Sequence, residues 1–399
     1  MFLFHFTLYM ALTTVGTKHK TIIKRYLCHR HKTQNNNKTI SMSSNESTIR
    51  DSNFELLRIV LISMIICLHY FKYGEALHVL TPSDSNYYFT YGLESLFIIA
   101  VDCFILITGY YQINGKFKLK KIIDLWAQVI FYSVTISSIF WFTGIEPLTV
   151  PTMLQAFLPV ITGTYWFVTI YIVLYLFSPF LNTALQNMKK EYHKKLILVS
   201  AVFFVILPSI NFTYFTDTGY SVYNFVFLYC VGAYIRKYDL PVKNRTYFLL
   251  GYLMCSLLVF FGAMLLNTLP ETPEYFFADP WNYNFIFVEL GAICFFMVFK
   301  SIKIQSTTIN FMATSVFGIY LISNHPFVLD VLYSKILHCA DYSYSPLFVR
   351  HMLFSGIGVL ISCLIIDFFR QKLFTLLHGF IPKSVIFSLS KVFGKIFQD

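Results

Sequence analysis

Charge is scarce in this chain. Charged residues make up 13% of its 399 positions, roughly half the ~25% of a soluble domain, so a soluble globular protein is excluded. There is no phosphate-binding G-x-x-x-x-G-K-[ST] loop and no dinucleotide glycine pattern, which removes nucleotide hydrolysis from the list of activities. There is no C-x-x-C and no Cys/His spacing of the zinc type, so no metal is expected. Of the eight cysteines, Cys67, Cys103, Cys230, Cys255, Cys294 and Cys363 fall inside apolar runs, where a thiol behaves as a small hydrophobe. Cys28 and Cys339 fall on opposite sides of the expected topology, so no disulfide framework is read.

Apolar length is what the chain has instead. Hydrophobic residues are 56% of the total and the mean hydropathy is +0.60. Apolar runs recur near the length that crosses a ~30 Å hydrocarbon layer, which only helices or closed barrels can do. The expectation is an all-α, polytopic integral membrane protein of about ten helices, at 54–73, 93–112, 122–142, 165–181, 196–210, 222–235, 247–266, 283–299, 309–333 and 347–369.

The net charge of +11 is confined to alternate loops, so it reports orientation and not a nucleic-acid partner. Lys116, Lys118, Lys120 and Lys121 follow the second span, and Lys189, Lys190, Lys194 and Lys195 the fourth. Arg236, Lys237, Lys243 and Arg245 follow the sixth, Lys300 and Lys303 the eighth, and Arg370 and Lys372 the tenth. The loops after the third, fifth and seventh spans carry no Lys or Arg, and the last of these holds Glu271, Glu274 and Asp279. Both termini are therefore expected in the cytoplasm. Residues 51–372 form the membrane domain and 373–399 a cytoplasmic tail. Residues 1–50 are a basic cytoplasmic segment with two readings: a signal-like or interfacial stretch, or an extension upstream of Met42.

The first helix carries an arginine and a histidine, Arg58 and His69, in FELLRIVLISMIICLHY. Ionisable groups in such a run are expensive and count as functional candidates. Eleven positions at ~1.5 Å rise put them roughly 16 Å apart on about the same face. Arg58 falls one turn inside the cytoplasmic face, and His69 in the outer half. Arginine suits phosphates, the lysine loop 116–121 lies on the same side, and imidazole is the usual general base. A ligand with phosphates at the cytoplasmic face and a reactive group on a thin outward arm fits, and acyl-coenzyme A is such a molecule. The plainer readings are a snorkelling Arg58 and a hydrogen-bonded packing histidine. Glu55 also has two readings: a capping box with Ser52 that starts the helix, or an ion pair with Arg58.

The segment N-F-E-L-L-R-I-V-L-I-S-M-I-I-C-L-H-Y at 53–70 resembles the first helix of the acyltransferase 3 family of membrane O-acyltransferases, whose hallmark is an Arg, ten residues, then a His. Further elements agree in order: F-I-L-I-T-G-Y-Y ending at Tyr111, Y-W-F-V-T-I-Y-I-V-L-Y-L-F-S-P-F-L-N at 165–182, and F-G-I-Y-L-I-S-N-H-P-F at 317–327. The resemblance covers residue 53 to the tenth helix. It implies transfer of an acyl group, usually acetyl, from cytoplasmic acetyl-coenzyme A to a hydroxyl of a carbohydrate outside the bacterial cytoplasmic membrane, as in surface-polysaccharide modification. His69 then either deprotonates the hydroxyl or carries the acyl group as an acyl-imidazole. Arg58, with Lys116, Lys118, Lys120 and Lys121, holds the donor phosphates or orders the channel mouth. One departure stands out: many relatives read Leu-Ile-His where this chain has Leu321, Ile322 and Ser323.

Other intramembrane polar groups are weaker candidates. His325 precedes Pro326, which predicts a kink, and with Asn324 it suits an acceptor pocket; a packing kink is the alternative. Asp102 and Glu289 lie mid-span, where an unpaired carboxylate is protonated or bonded; Asp102 is the better pocket candidate. Trp166 either anchors in the aromatic belt or stacks on a sugar ring. A transporter or flippase for a lipid-linked glycan, or a glycan polymerase, is the rival class. A transporter requires no titratable base at one depth, and a polymerase would more often present a large polar external loop, whereas the longest here, around 267–282, is modest.

Overall fold

The computed structural model describes residues 51–210, 218–268 and 278–378. The expected N-terminal segment 1–50, residues 379–399 of the tail, and Glu271 and Glu274 lie outside the described residues. The chain runs α1 Ser52–Tyr73, α2 Ala76–Val79, α3 Tyr87–Phe97, α4 Ala100–Gln112, α5 Leu119–Phe142, α6 Val150–Phe157, α7 Trp166–Asn187, α8 Lys190–Ala201, α9 Val222–Lys237, α10 Arg245–Thr268, α11 Ile286–Lys300, α12 Thr307–Met312, α13 Val316–Ser323, α14 Pro326–Asp330 and α15 Phe348–His378. No strand occurs among the described residues.

A helix stands at each of the ten expected segments, but they are not equivalent. Seven are long and apolar enough to cross a membrane, and an eighth forms if Thr307–Ser323 and Pro326–Ile336 are taken together across an 81° bend. The other two, α9 and α11, have 16 and 15 residues. At ~1.5 Å per residue they reach about 24 and 22 Å, short of a ~30 Å layer. Both are largely buried among other helices. α15 passes the expected end at Phe369, so the boundary read at 372/373 falls within a helix.

Burial separates centre from periphery. Within α1, 61% of the apolar window is buried in protein, and 67% for the α3–α4 span, against 22% for Arg245–Asn267 and 28% for Phe348–Leu376. The outer helices turn large apolar side chains outward, such as Leu250 and Phe354, as hydrocarbon surroundings require. α4 and α9 touch backbone to backbone: a Cβ at Gly109 would collide with the backbone of Tyr229, and one at Gly232 with the Leu106 carbonyl. Small residues permit such approaches in membrane bundles. Asn182 then ties α7 to both, giving its amide N–H to the Gln112 carbonyl at 2.8 Å and accepting from the Tyr229 hydroxyl at 2.6 Å.

The lysine-bearing loops converge on one end of the bundle. The Lys237 ammonium donates to the Leu185 and Met188 carbonyls, Lys300 to the Leu240 carbonyl, and Asn53 to the Phe299 carbonyl. The Ser306 N–H donates to the Ser52 hydroxyl at 3.0 Å. This corrects the capping-box reading: the residue before α1 is Asp51, it makes no side-chain cap bond, and the Ser52 hydroxyl is engaged by a residue 254 positions away. Of the cations expected at this end, Arg370 is buried in an ion pair with Asp367 at 2.8 Å. Asp367 also accepts from Tyr132, and the absence of a side chain at Gly318 leaves it room.

Candidate active site

His69 lies one turn from the C-terminal end of α1, at the opposite end of that helix from the basic loops. Its ring meets Tyr73 edge-on at 5.5 Å and Tyr333 at 6.5 Å. Its Nδ1 is buried without a hydrogen-bond partner, and none of the side-chain hydrogen bonds among the described residues involves its ring. Buried polar atoms are ordinarily satisfied, so each exception needs an explanation. The Tyr333 hydroxyl does not supply a partner, because it donates to the Ile66 carbonyl at 3.3 Å.

A second group of aromatic rings stands nearby. Tyr73 lies within electrostatic reach of Tyr220, and Tyr220 packs on Trp166 at 4.4 Å and on Tyr283 at 4.8 Å. Trp166 and Tyr283 are stacked at 5.8 Å. Trp166 is thus packed into a cluster of rings at this end. Glu94, buried with Oε2 unpartnered, lies within electrostatic reach of Tyr220 and Tyr283, and so does Asp102 of Tyr283. Glu94, Tyr73, Tyr220, Tyr283 and Tyr333 were not singled out from the sequence. Glu94 stood at the edge of an expected span, and a buried acid there was a signal that could have been read.

The other sequence candidates have different neighbours. His325 uses both ring nitrogens: Nδ1 accepts from the Phe327 N–H at 3.2 Å as the cap of α14, and Nε2 bonds the Ser137 hydroxyl at 3.3 Å. The expected kink is present, and His325 holds it together. Asn324 donates to the Ser323 hydroxyl. Asp102 is fully buried with both oxygens unpartnered, and Glu289 is buried nearby beside Asn224.

At the basic end, Arg58 pairs with Glu55 at 3.2 Å, as one of the two readings expected. Arg58 is half-exposed and lies within electrostatic reach of Tyr111, whose hydroxyl donates to Asp51 at 3.1 Å. Two residues of the 116–121 segment lean on α7, the Lys118 N–H donating to the Tyr175 hydroxyl and the Lys121 ammonium lying 4.7 Å from that ring, while Lys120 pairs with Asp124 within α5. They do not line the cavity at this end that lies between α1, α9 and α11. No cluster of three or more His, Cys, Asp or Glu able to hold a metal occurs among the described residues.

An all-helical bundle with seven or eight candidate crossings, an unbonded imidazole at one end and a basic cavity at the other defines a multi-pass membrane protein with chemistry inside it. The profile of the acyltransferase 3 family, described as an acyltransferase domain, matches residues 51–368. The chain belongs to that family and is an acyltransferase. No curated protein and no solved structure matches it. The matched region holds both Arg58 and His69, and the quoted motifs have visible duties. Gly109 admits the backbone of α9, Asn182 ties three helices, Gly318 makes room for Asp367, and His325 caps α14.

Proposed function

We propose that the protein transfers an acyl group, acetyl in the first instance, from cytoplasmic acyl-coenzyme A to a hydroxyl of a surface or lipid-linked carbohydrate outside the bacterial cytoplasmic membrane. In this reading both termini are cytoplasmic, and the two short helices α9 and α11 complete about ten membrane-embedded elements. The observation that carries it is His69: a half-buried imidazole whose Nδ1 is enclosed without a partner, between the rings of Tyr73 and Tyr333, on the helix whose far end reaches the basic loops.

A thioester is already activated, so the protein has to position the acceptor, take its proton and stabilise the oxyanion. Trp166, Tyr220 and Tyr283 offer ring faces to a sugar, with Glu94 and Asp102 as polar partners and Asn324 on the adjoining break. His69 takes the hydroxyl proton, the alkoxide oxygen adds to the thioester carbonyl, the C–S bond breaks, and the thiolate recovers a proton to leave as coenzyme A. In the variant route the imidazole nitrogen itself accepts the acyl group and then yields it to the hydroxyl. Arg58, fixed by Glu55, orders the mouth through which the donor arm passes, and Lys116, Lys118, Lys120 and Lys121 add positive potential at that side.

His69→Ala in cells tests the reading. The surface glycan should persist without its acyl esters. Loss of the glycan itself would point to transport or polymerisation, and persistence of the esters would overturn the role of His69.

A further inference from the structure

A cavity of about 550 Å³ opens at the basic end between the start of α1, the end of α9 and the segment after α11. Three cations line it: Arg236, Lys300 and Lys303. Arg236 and Lys300 stand in the last turns of α9 and α11, where a cation also offsets the helix dipole. That duty alone does not explain the cavity. Lys237, the neighbour of Arg236, does the carbonyl work, donating to three main-chain oxygens of the 185–188 segment. Arg236 instead gives one N–H to the Tyr110 hydroxyl at 3.0 Å and lies 4.9 Å from that ring. A guanidinium has five N–H donors in a planar fork suited to phosphate.

Lys300 holds the Leu240 carbonyl at 2.9 Å and faces Asp239 at 3.3 Å. Asp239 is 93% exposed, so that pair is weak and yields to a buried anion. Lys303 is exposed at the rim. The single carboxylate in the lining, Asp51, accepts from Tyr111 and also feels Arg236. Asp51 makes no side-chain cap for α1, and its carbonyl takes the Phe54 N–H at 3.2 Å, so the helix start on this wall of Asn53 and Phe54 contributes little beyond its dipole. Helix starts favour anions, here in addition to the three cations.

We propose that this cavity seats the phosphates of a nucleotide-bearing donor, with Arg236, Lys300 and Lys303 as their holders in place of the 116–121 lysines. The proposal rests on the acyl-coenzyme A reading given above. Phe54 in the cavity wall and His69 are on one helix, fifteen positions apart, about 22 Å at ~1.5 Å per residue. An extended pantetheine arm covers a distance of that order. The adenosine phosphates then remain at one end of α1 while the thioester reaches the other.

The test is equilibrium binding to the purified full chain in nanodiscs of uncharged lipid, with coenzyme A, dephospho-coenzyme A and adenosine 3′,5′-diphosphate as probes. Arg236→Ala and Lys303→Glu should each weaken coenzyme A and the diphosphate about tenfold or more, with a shallower salt dependence, while Lys335→Glu at the other end of the bundle changes nothing. If coenzyme A binds and these variants bind it as the parent does, the cavity assignment is wrong and the donor reading stands. If the parent binds none of the probes, but anionic-lipid nanodiscs alter the protein through the same residues, the seat belongs to a lipid headgroup, and both the donor reading and this proposal fall.

Discussion

Two histidines lie at breaks or ends of helices in the same half of this bundle, and they are opposites. His325 has both ring nitrogens bonded, to the Phe327 N–H and the Ser137 hydroxyl, and its loss would uncap α14. His69 has neither bonded and is surrounded by rings. His351 follows the first pattern, bonded to Tyr70 at 2.8 Å and stacked on Tyr342 at 3.7 Å. His193 is intermediate, with Nε2 on the Cys230 carbonyl and Nδ1 without a partner. A buried imidazole whose hydrogen bonds are satisfied contributes to the fold. One left unsatisfied costs stability, and the fold retains it for a reason other than packing.

The comparison makes ranked predictions. His69→Ala should lower acyl transfer by about a hundred- to ten-thousandfold, the span of a positioned base, while acyl-coenzyme A still binds to the purified protein. Binding lost together with turnover would place His69 in the donor seat instead. His325→Ala should remove a helix cap and a buried hydrogen bond, about 1–3 kcal/mol together, seen as a lower melting temperature in detergent. His325→Asn, which can still cap, should recover part of it, and a melting temperature unmoved by either change would end the structural assignment. Trp166→Ala should raise the acceptor concentration needed for half-maximal rate several-fold with little change in donor binding. An unchanged acceptor dependence would return Trp166 to a purely structural role.

The apolar helices were legible because their signal is local. Runs of the right length and composition gave α1 to within two residues and placed a helix at every expected segment. Helix length was less legible: α9 and α11 are apolar enough to read as spans, yet turns shorten them. Local patterns misled where a distant partner competes. Ser52 and Glu55 have the spacing of a capping box, but Ser306 takes the serine, and Arg58 pairs with Glu55. The Arg58–His69 pair was visible from spacing and resemblance alone. The aromatic wall was half visible, through Trp166. Tyr220 and Tyr283 come from separate segments and meet Trp166 only in the fold, and Tyr73 meets Tyr333 beside His69 in the same way. The same holds for Arg236, Lys300 and Lys303: each marks orientation along the sequence, and only packing brings them to one cavity.

The account rests on His69 being chemical and His325 structural, and the most direct test measures both properties on both variants. His69→Ala and His325→Ala are purified side by side in nanodiscs, and each is assayed for melting temperature and for turnover per folded molecule with acetyl-coenzyme A. The account predicts that His69→Ala melts no lower than the parent and does not turn over. His325→Ala should melt several degrees lower, with the folded fraction turning over within a few-fold of the parent. A His69→Ala protein that keeps more than a tenth of the parental turnover, or that loses it only by unfolding, contradicts the account.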